Sequence, residues 1–148
     1  MLEPWRIEEI APGVTREWSH QNRIVVFRLM DYKRQAIDAW ASAIEETILL
    51  ADRPRLLVYH FAGLPPSLSI YYLQQKFRLL DAYAEEQLHK AGGPIGHTYI
   101  AVVPPRQFAP VANFIIARNA ALRRGFGLTV QAFSTLEDAL EWLTSRED

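Results

Sequence analysis

The hydrophobic and polar positions along the chain change their period several times, and each change predicts a new element. Four segments are rich in β-branched and aromatic residues, as strands are: 23–30, 55–61, 97–103 and 128–133. The segment at 55–61 is almost continuously apolar, which indicates a strand covered on both faces. A shorter, loosely alternating run at 5–10 ends at a Pro-Gly turn and predicts another strand, which residues 14–19 continue as an irregular edge segment.

Between the strands, apolar residues recur three or four positions apart, which predicts amphipathic helices. The first helix begins near Asp31, which we expect to cap it, and ends at Pro54, because proline cannot donate a backbone hydrogen bond. The second helix runs over about 69–91, and the third carries its apolar face over 108–122. A capping box at 134–137 predicts the start of a short final helix.

The predicted order is β-β-α-β-α-β-α-β-α, which places the chain in the α/β class. Strands that alternate with helices predict a mostly parallel sheet with right-handed crossovers. We expect the short N-terminal strand to lie antiparallel at an edge of that sheet. The chain has 148 residues, so residues 1–148 fit a single domain.

Composition argues against several classes of protein. Sixteen Lys and Arg residues against 17 Asp and Glu give a net charge of -1, which disfavours nucleic-acid binding and a polybasic membrane anchor. No apolar run approaches the roughly 20 residues of a membrane-spanning helix. The chain has no cysteine, so we expect no disulfide, no thiolate metal site and a cytoplasmic location.

Motifs for catalysis, metal binding and nucleotide binding are scarce. The histidines, at positions 20, 60, 89 and 97, lack the spacing of a metal site, so we expect no metal. His60 ends a buried strand, where ligands bind in open α/β sheets, although a hydrogen-bonded structural imidazole is the favoured interpretation. The glycine-rich stretch 92–96 follows a helix and precedes a strand, the reverse of a dinucleotide-binding loop. We therefore expect no cofactor and no enzymatic activity.

Two groups of side chains remain as candidate binding surfaces. Arginines at the ends of the third predicted helix indicate an anion or acidic-partner patch, although a solvated face that compensates the helix dipole is favoured. These arginines are Arg106, Arg118, Arg123 and Arg124. Tyr71 and Tyr72 fall partly off the apolar stripe of the second helix, and tyrosine is favoured in grooves and interfaces.

Three stretches resemble the STAS domain family, the SpoIIAA-like fold of anti-sigma-factor antagonists and sulfate-transporter tails. Residues 55–70 (RLLVYHFAGLPPSLSI) are similar to that family's central strand and the loop into its second helix. Residues 97–105 (HTYIAVVPP) look like the next strand with its proline-bearing exit, and 130–143 (VQAFSTLEDALEWL) like the closing strand and short helix. The resemblance implies a SpoIIAA-like, STAS-type domain with a signalling role.

The resemblance also implies a candidate phosphorylation site. In phospho-regulated members of the family, a partner kinase modifies a serine in the loop before the second helix, and Ser67 aligns with that serine. The chain has Pro66 and Ser69 where the family has Asp and Gly. Ser67 and Ser69 are therefore candidate phospho-acceptors in a partner loop, with a role as helix caps as the favoured interpretation.

Together these features predict a non-catalytic regulatory module of a bacterial cytosol that docks a protein partner around Ser67. The expected partner or ligand face consists of Leu64, Tyr71 and Tyr72. A second branch of the same superfamily has a longer second helix, and resemblance to it implies an alternative, a module that binds an apolar or lipid-like small molecule. Whether the chain forms a homodimer stays open at this point.

Overall fold

The computed structural model describes residues 6–49, 55–62, 98–104 and 128–146, together with eight helical positions between 72 and 86. The regular elements within the continuous ranges are β1 Arg6–Ala11, β2 Val14–Ser19, β3 Ile24–Leu29, α1 Arg34–Ile48, β4 Leu56–Phe61, β5 Thr98–Val103, β6 Leu128–Ala132 and α2 Leu136–Thr144. The predicted α/β class is confirmed. The predicted helix over 108–122 lies outside the described residues.

The six strands form one mixed sheet in the order β1-β2-β3-β4-β5-β6. β1, β2 and β3 are antiparallel neighbours, whereas β3, β4, β5 and β6 run parallel to one another. The prediction of a mostly parallel sheet is therefore wrong, because residues 14–19 form a full strand between β1 and β3. The prediction that the first strand lies antiparallel at an edge is confirmed.

β2 is an internal strand whose central residues, Arg16 and Glu17, are charged and yet buried. Such residues are typical of an exposed strand, which is why the sequence favoured an edge segment. In the structure Arg16 pairs with a glutamate on β1, and Glu17 pairs with an arginine on β3. The pairing partners on both neighbouring strands offset the cost of burying these charges.

Two turns with left-handed backbone fix the antiparallel half of the sheet. Gly13, between β1 and β2, has a φ of +80°, and a side chain there would collide with Asp31. Between β2 and β3, Gln21 and Asn22 have φ values of 59° and 65°. The backbone N–H of Arg23 donates to the carbonyl oxygen of His20 at 3.2 Å. This geometry is that of a type I′ turn, whose twist suits a hairpin.

One face of the sheet packs against α1. The predicted apolar stripe of α1 is confirmed, with Trp40 at its centre and fully buried. The predicted end of this helix at Pro54 is wrong, because α1 ends at Ile48 with Leu49 as its C-cap. The Trp40 indole Nε1 donates to the backbone oxygen of Phe27 at 3.1 Å. Its ring meets Tyr59 edge-on, with ring centres 5.4 Å apart. Tyr72 and Leu73 of the partly described helix pack against the same cluster.

The opposite face of the sheet packs against α2. Ala139 and Leu143 of α2 are fully buried against alternate residues of β3, β4 and β5. Trp142 extends this layer, with its ring centre 5.7 Å from Tyr99 and 5.3 Å from Phe133. The sheet therefore has apolar cover on both faces, as the continuous apolar strands predicted.

Both helices begin differently from the prediction. The N-cap of α1 is Lys33, whose backbone N–H donates to Asp31 Oδ1 at 3.0 Å. Asp31 thus orders the turn before the helix and does not cap it. The N-cap of α2 is Thr135, whose Oγ1 accepts from the backbone N–H of Asp138 at 3.1 Å. This cap lies one residue later than the predicted capping box.

Candidate functional site

Of the side chains predicted to form a site, Tyr72 is among the described residues. The others lie outside them: Leu64, Ser67, Ser69, Tyr71, Arg106, Arg118, Arg123 and Arg124. Phosphorylation at Ser67, the caps and the arginine patch therefore stay predictions. The described residues instead show three clusters of polar side chains, and each is positioned by the pairing of strands or helices.

The first cluster fixes Tyr72 between α1 and the helix to which Tyr72 belongs. The Tyr72 hydroxyl donates to Asp38 Oδ1. Lys76 Nζ lies 3.2 Å from the same carboxylate oxygen. The guanidinium carbon of Arg34 lies 4.6 Å from the centre of the Tyr72 ring, within the range of a cation–π contact. The ring is thus held at its hydroxyl and contacted on its π system.

These contacts set the ionisation of the cluster. The hydrogen bond from Tyr72 and the charge of Lys76 lower the pKa of Asp38. The same carboxylate raises the pKa of Tyr72 and of Lys76. At neutral pH Asp38 is therefore ionised, Tyr72 is neutral and Lys76 is protonated. With Arg34, two cations face one carboxylate, which leaves a positive charge in excess.

Leu79 extends this cluster along the helix. It lies seven residues after Tyr72, which places both on one helical face. The side chain is apolar and 53% exposed. We call Arg34, Tyr72, Lys76 and Leu79 the Tyr72 surface. It combines an aromatic ring, two cations and an exposed apolar side chain.

The second cluster crosses the opposite face of the sheet, near the carboxyl ends of β3 and β4. Thr15, Arg28 and His60 are register partners on β2, β3 and β4, so their side chains form one row. Glu17 completes it, because its Oε2 accepts from Thr15 Oγ1 at 3.1 Å and lies 3.0 Å from Arg28 Nε. We call these four residues the carboxyl-edge row. On β3, β4 and β5 the neighbouring positions on this face are apolar, whereas on β1 the exposed Glu9 is in register with Thr15.

His60 is the member of this row that the sequence had singled out. Its Nδ1 is buried and has no hydrogen-bond partner among the described residues. The sequence favoured a hydrogen-bonded structural imidazole, but Nδ1 does not form such a hydrogen bond with the described residues. Burial, and secondarily the charge of Arg28, lower the pKa of His60 to about 4. The imidazole is neutral at pH 7, and its unpaired buried atom costs free energy.

Stability should depend on pH through His60. In the unfolded chain the imidazole binds a proton near its ordinary pKa of 6.5, whereas in the folded chain it does so near 4. Between these values the unfolded state binds more protons, so the free energy of unfolding falls as the pH falls. Because the ring is partly exposed, solvent screens its charge, and we expect a loss of about 1 to 2 kcal/mol in the free energy of unfolding.

Urea unfolding at several pH values between 4 and 6.5, the folded and unfolded pKa values of His60, measures how the free energy of unfolding depends on pH. The His60→Gln variant should lose stability less steeply over that range, because glutamine does not titrate. An equal slope in the two proteins would show that other groups carry the pH dependence.

The third cluster ties β1 and β2 to α1. Arg16 Nη2 donates to Glu8 Oε2 at 2.8 Å, and Arg16 Nη1 donates to Thr47 Oγ1 at 3.2 Å. The indole Nε1 of Trp18 donates to the other oxygen of Glu8. The hydrogen bond from Arg16 lowers the pKa of Glu8, so this carboxyl is ionised at neutral pH. The two Nη atoms of Arg16, the Glu8 carboxylate and the Trp18 indole are paired, whereas the buried Nε of Arg16 has no hydrogen-bond partner among the described residues. We interpret the cluster as structural, because its contacts join β1 and β2 to α1.

Sequence reasoning missed most members of the first two clusters. Arg28 interrupts an otherwise apolar strand one position before its end, and that interruption was the available signal. Asp38 lies off the apolar stripe of α1 and is half-buried. Its partners come from another helix, and no local pattern in α1 indicates them.

Two further features were sought among the described residues, a cluster of metal-ligating side chains and a membrane-spanning helix. Within it, no group of three or more His, Asp or Glu side chains is placed to hold a metal ion. No helix among these same residues is both long enough and apolar enough to cross a membrane.

Comparison of the chain with protein-family models, with curated proteins and with solved structures finds no match. Membership of the STAS family and the apolar-ligand alternative therefore stay predictions from the sequence.

Proposed function

We propose that the chain is a non-catalytic regulatory module that binds a protein partner through the Tyr72 surface. The observation that supports this proposal is the fixed aromatic ring, held by Asp38 and contacted by Arg34 and Lys76. Tyrosine and arginine are enriched among the residues that dominate binding energy at interfaces. A ring that is already ordered loses little further entropy when a partner covers it.

The charge of the Tyr72 surface favours a partner with acidic groups. Its excess positive charge attracts carboxylates, and such pairs at an interface rim contribute mainly to specificity and association rate. The exposed Leu79 side chain offers an apolar contact beside the charges. The partner segment that fits combines acidic side chains with an apolar one.

The resemblance to STAS domains supports the same class of function. In that family a signalling domain binds a protein partner near the loop before its second helix. Of the predicted partner residues, Tyr71 directly precedes Tyr72 in the chain and Ser67 lies five positions before it. A SpoIIAA-like topology and a bacterial cytosolic setting are parts of this proposal.

Site-specific photocrosslinking in the native host identifies the partner. A benzophenone amino acid at Leu79 should capture one predominant protein. A matched probe at Ile7, which is 61% exposed on the edge strand β1, should not capture that protein. Capture of the same protein from both positions would contradict docking at the Tyr72 surface.

Charge substitution then tests the contact with the purified partner. Leu79→Asp is expected to weaken binding by at least about tenfold, because it places a buried charge in the interface. Ile7→Asp, an equally exposed position, should bind as the unchanged protein does. Unaltered binding by Leu79→Asp would overturn the proposal. Leu79→Asp should keep the unfolding midpoint of the parent protein within a small margin. Ile7→Asp should lower the midpoint slightly, because Ile7 is in register with Glu17.

A further inference from the structure

We propose that the carboxyl-edge row is a binding site for a small oxyanion, a carboxylate or a phosphate group, held by Arg28 with His60 beside it. The row lies on the sheet face opposite the Tyr72 surface, so the inference goes beyond the proposed function and is independent of it. Three features support such a site: the row lies where the parallel strands end, Glu17 positions the Arg28 guanidinium, and the buried Nδ1 of His60 has no partner among the described residues.

The position of the row is one where α/β sheets bind ligands. Arg28 and His60 each lie one residue before the end of their parallel strands, β3 and β4. In open α/β sheets, ligands bind outside the carboxyl ends of the strands. β2 runs antiparallel to β3, and this pairing brings Thr15 and Glu17 to the same place.

Glu17 positions the guanidinium of Arg28. The Glu17 side chain is only 6% exposed, and its Oε2 lies 3.0 Å from Arg28 Nε. The N–H of Nε is not directed at this oxygen, so charge attraction holds the pair more than a well-formed hydrogen bond does. Among the described residues, Arg28 approaches Glu17 through Nε, which leaves the two Nη atoms for another acceptor.

The free end of Arg28 suits an oxyanion. Two parallel N–H groups of a guanidinium match the two oxygens of a carboxylate or a phosphate. The Arg28 side chain is 28% exposed, so its end can be reached from solvent. The flanking apolar residues Val26 and Val58 are fully buried and lower the local polarity, which strengthens such a contact.

His60 supplies the second part of the site. It lies beside Arg28 in register, and its buried Nδ1 lacks a partner among the described residues. A buried polar atom without a partner calls for a ligand or an ordered water. Because Nδ1 is buried, contact between the imidazole and an anion on Arg28 requires side chains to move on binding. In the tautomer with a proton on Nδ1, the imidazole then donates to that anion. The Glu17 carboxylate balances the charge of Arg28, and Glu9 lies beside Thr15 on the same face, so binding is expected to be weak.

The experiment follows the imidazole signals of isotope-labelled histidines by NMR at about pH 7. Sodium phosphate and sodium acetate are titrated separately, with sodium chloride at matched ionic strength as reference, and His60→Gln assigns the His60 signal. We expect a saturable shift at His60 with at least one oxyanion and none at His20, which lies in the β2–β3 turn. Acetate alone indicates a carboxylate ligand, and phosphate alone a phosphate ligand.

The same titration gives the results that would overturn the inference. An equal shift with sodium chloride means an ionic-strength effect. The absence of a saturable shift with either oxyanion means that neither anion binds beside His60. Either result contradicts an oxyanion site. Neither bears on the Tyr72 surface, whose test uses a protein partner.

Variants locate the binding group. Arg28→Lys keeps the charge but loses the two parallel N–H donors of the guanidinium, and it should weaken binding several-fold. Because Arg28→Met alone leaves a buried Glu17 unpaired, it is combined with Glu17→Gln, and this double variant should bind at least about tenfold more weakly. The control is Arg55→Gln, at an exposed position before the amino end of β4. Unchanged binding by the double variant would rule out Arg28 as the anion ligand.

Discussion

Replacement of Trp40 by alanine is expected to lower the free energy of unfolding by about 3 to 5 kcal/mol, the usual cost of truncating a fully buried aromatic residue. Trp40 is completely buried between α1 and the sheet. Its ring centre lies 5.4 Å from that of Tyr59 and 5.1 Å from that of Phe61. Alanine removes these contacts, leaves a cavity and leaves the Phe27 carbonyl oxygen without the indole hydrogen bond.

Urea denaturation measures this effect. Ser42→Ala is the matched control, because Ser42 is exposed on the same helix and the change should alter stability by less than about 0.5 kcal/mol. Trp40→Phe keeps part of the ring, so its free energy of unfolding should lie between those of Trp40→Ala and Ser42→Ala. A Trp40→Ala protein as stable as the Ser42→Ala protein would show that α1 does not pack on the sheet as described.

Replacement of Glu8 by alanine is expected to cost about 2 to 3 kcal/mol, because it leaves a buried cation without its closest partner. The Arg16 side chain is 11% exposed, and its nearest carboxylate oxygen, at 2.8 Å, belongs to Glu8. Glu46 is 3.9 Å away and largely exposed, so it cannot replace that contact. The change also removes the acceptor of the Trp18 indole N–H.

The neighbouring glutamate provides the control. Glu9 lies on the same strand but is exposed and points to the other face of the sheet. Glu9→Ala should therefore change the unfolding free energy by less than about 0.5 kcal/mol. Equal losses in the two variants would mean that strand propensity, and not the Arg16 pair, determines the result.

The strands buried on both faces were predicted closely from the sequence. β3, β4 and β5 differ from the predicted segments by a residue or so at each end, because continuous apolar runs leave little choice of structure. The stripe of α1 was equally clear, since its buried residues follow the helical period. In both cases a local pattern carries the information.

β2 was not predicted as an internal strand, because its burial depends on partners in other strands. Arg16 and Glu17 are polar by composition, and only the partners on β1 and β3 make their burial acceptable. The same limit applies to the mixed character of the sheet. Because β2 was predicted to be an edge segment, the sequence did not indicate that the sheet continues past β2 to β1.

The residues of the candidate sites also divide into those that a local sequence pattern indicates and those that only long-range pairing brings together. His60 was noticed because its place at the end of an apolar strand is local information, and Tyr72 because it departs from a helical stripe. Arg28 and Glu17 were not noticed, because strand register brings them to His60. Asp38 meets Tyr72 only through the packing of two helices. Long-range pairing thus determines which polar residues meet, and single-sequence patterns do not contain it.

The register of β3 against β4 is the claim on which both faces of the sheet depend, and side-chain contacts measured by NMR test it directly. We expect nuclear Overhauser effects between Arg28 and the His60 ring, and between the rings of Phe27 and Tyr59, whose centres lie 6.3 Å apart. A shift of one residue would exchange the faces of one strand. Contacts from Arg28 to the ring of Tyr59 or Phe61, in place of His60, would contradict the account.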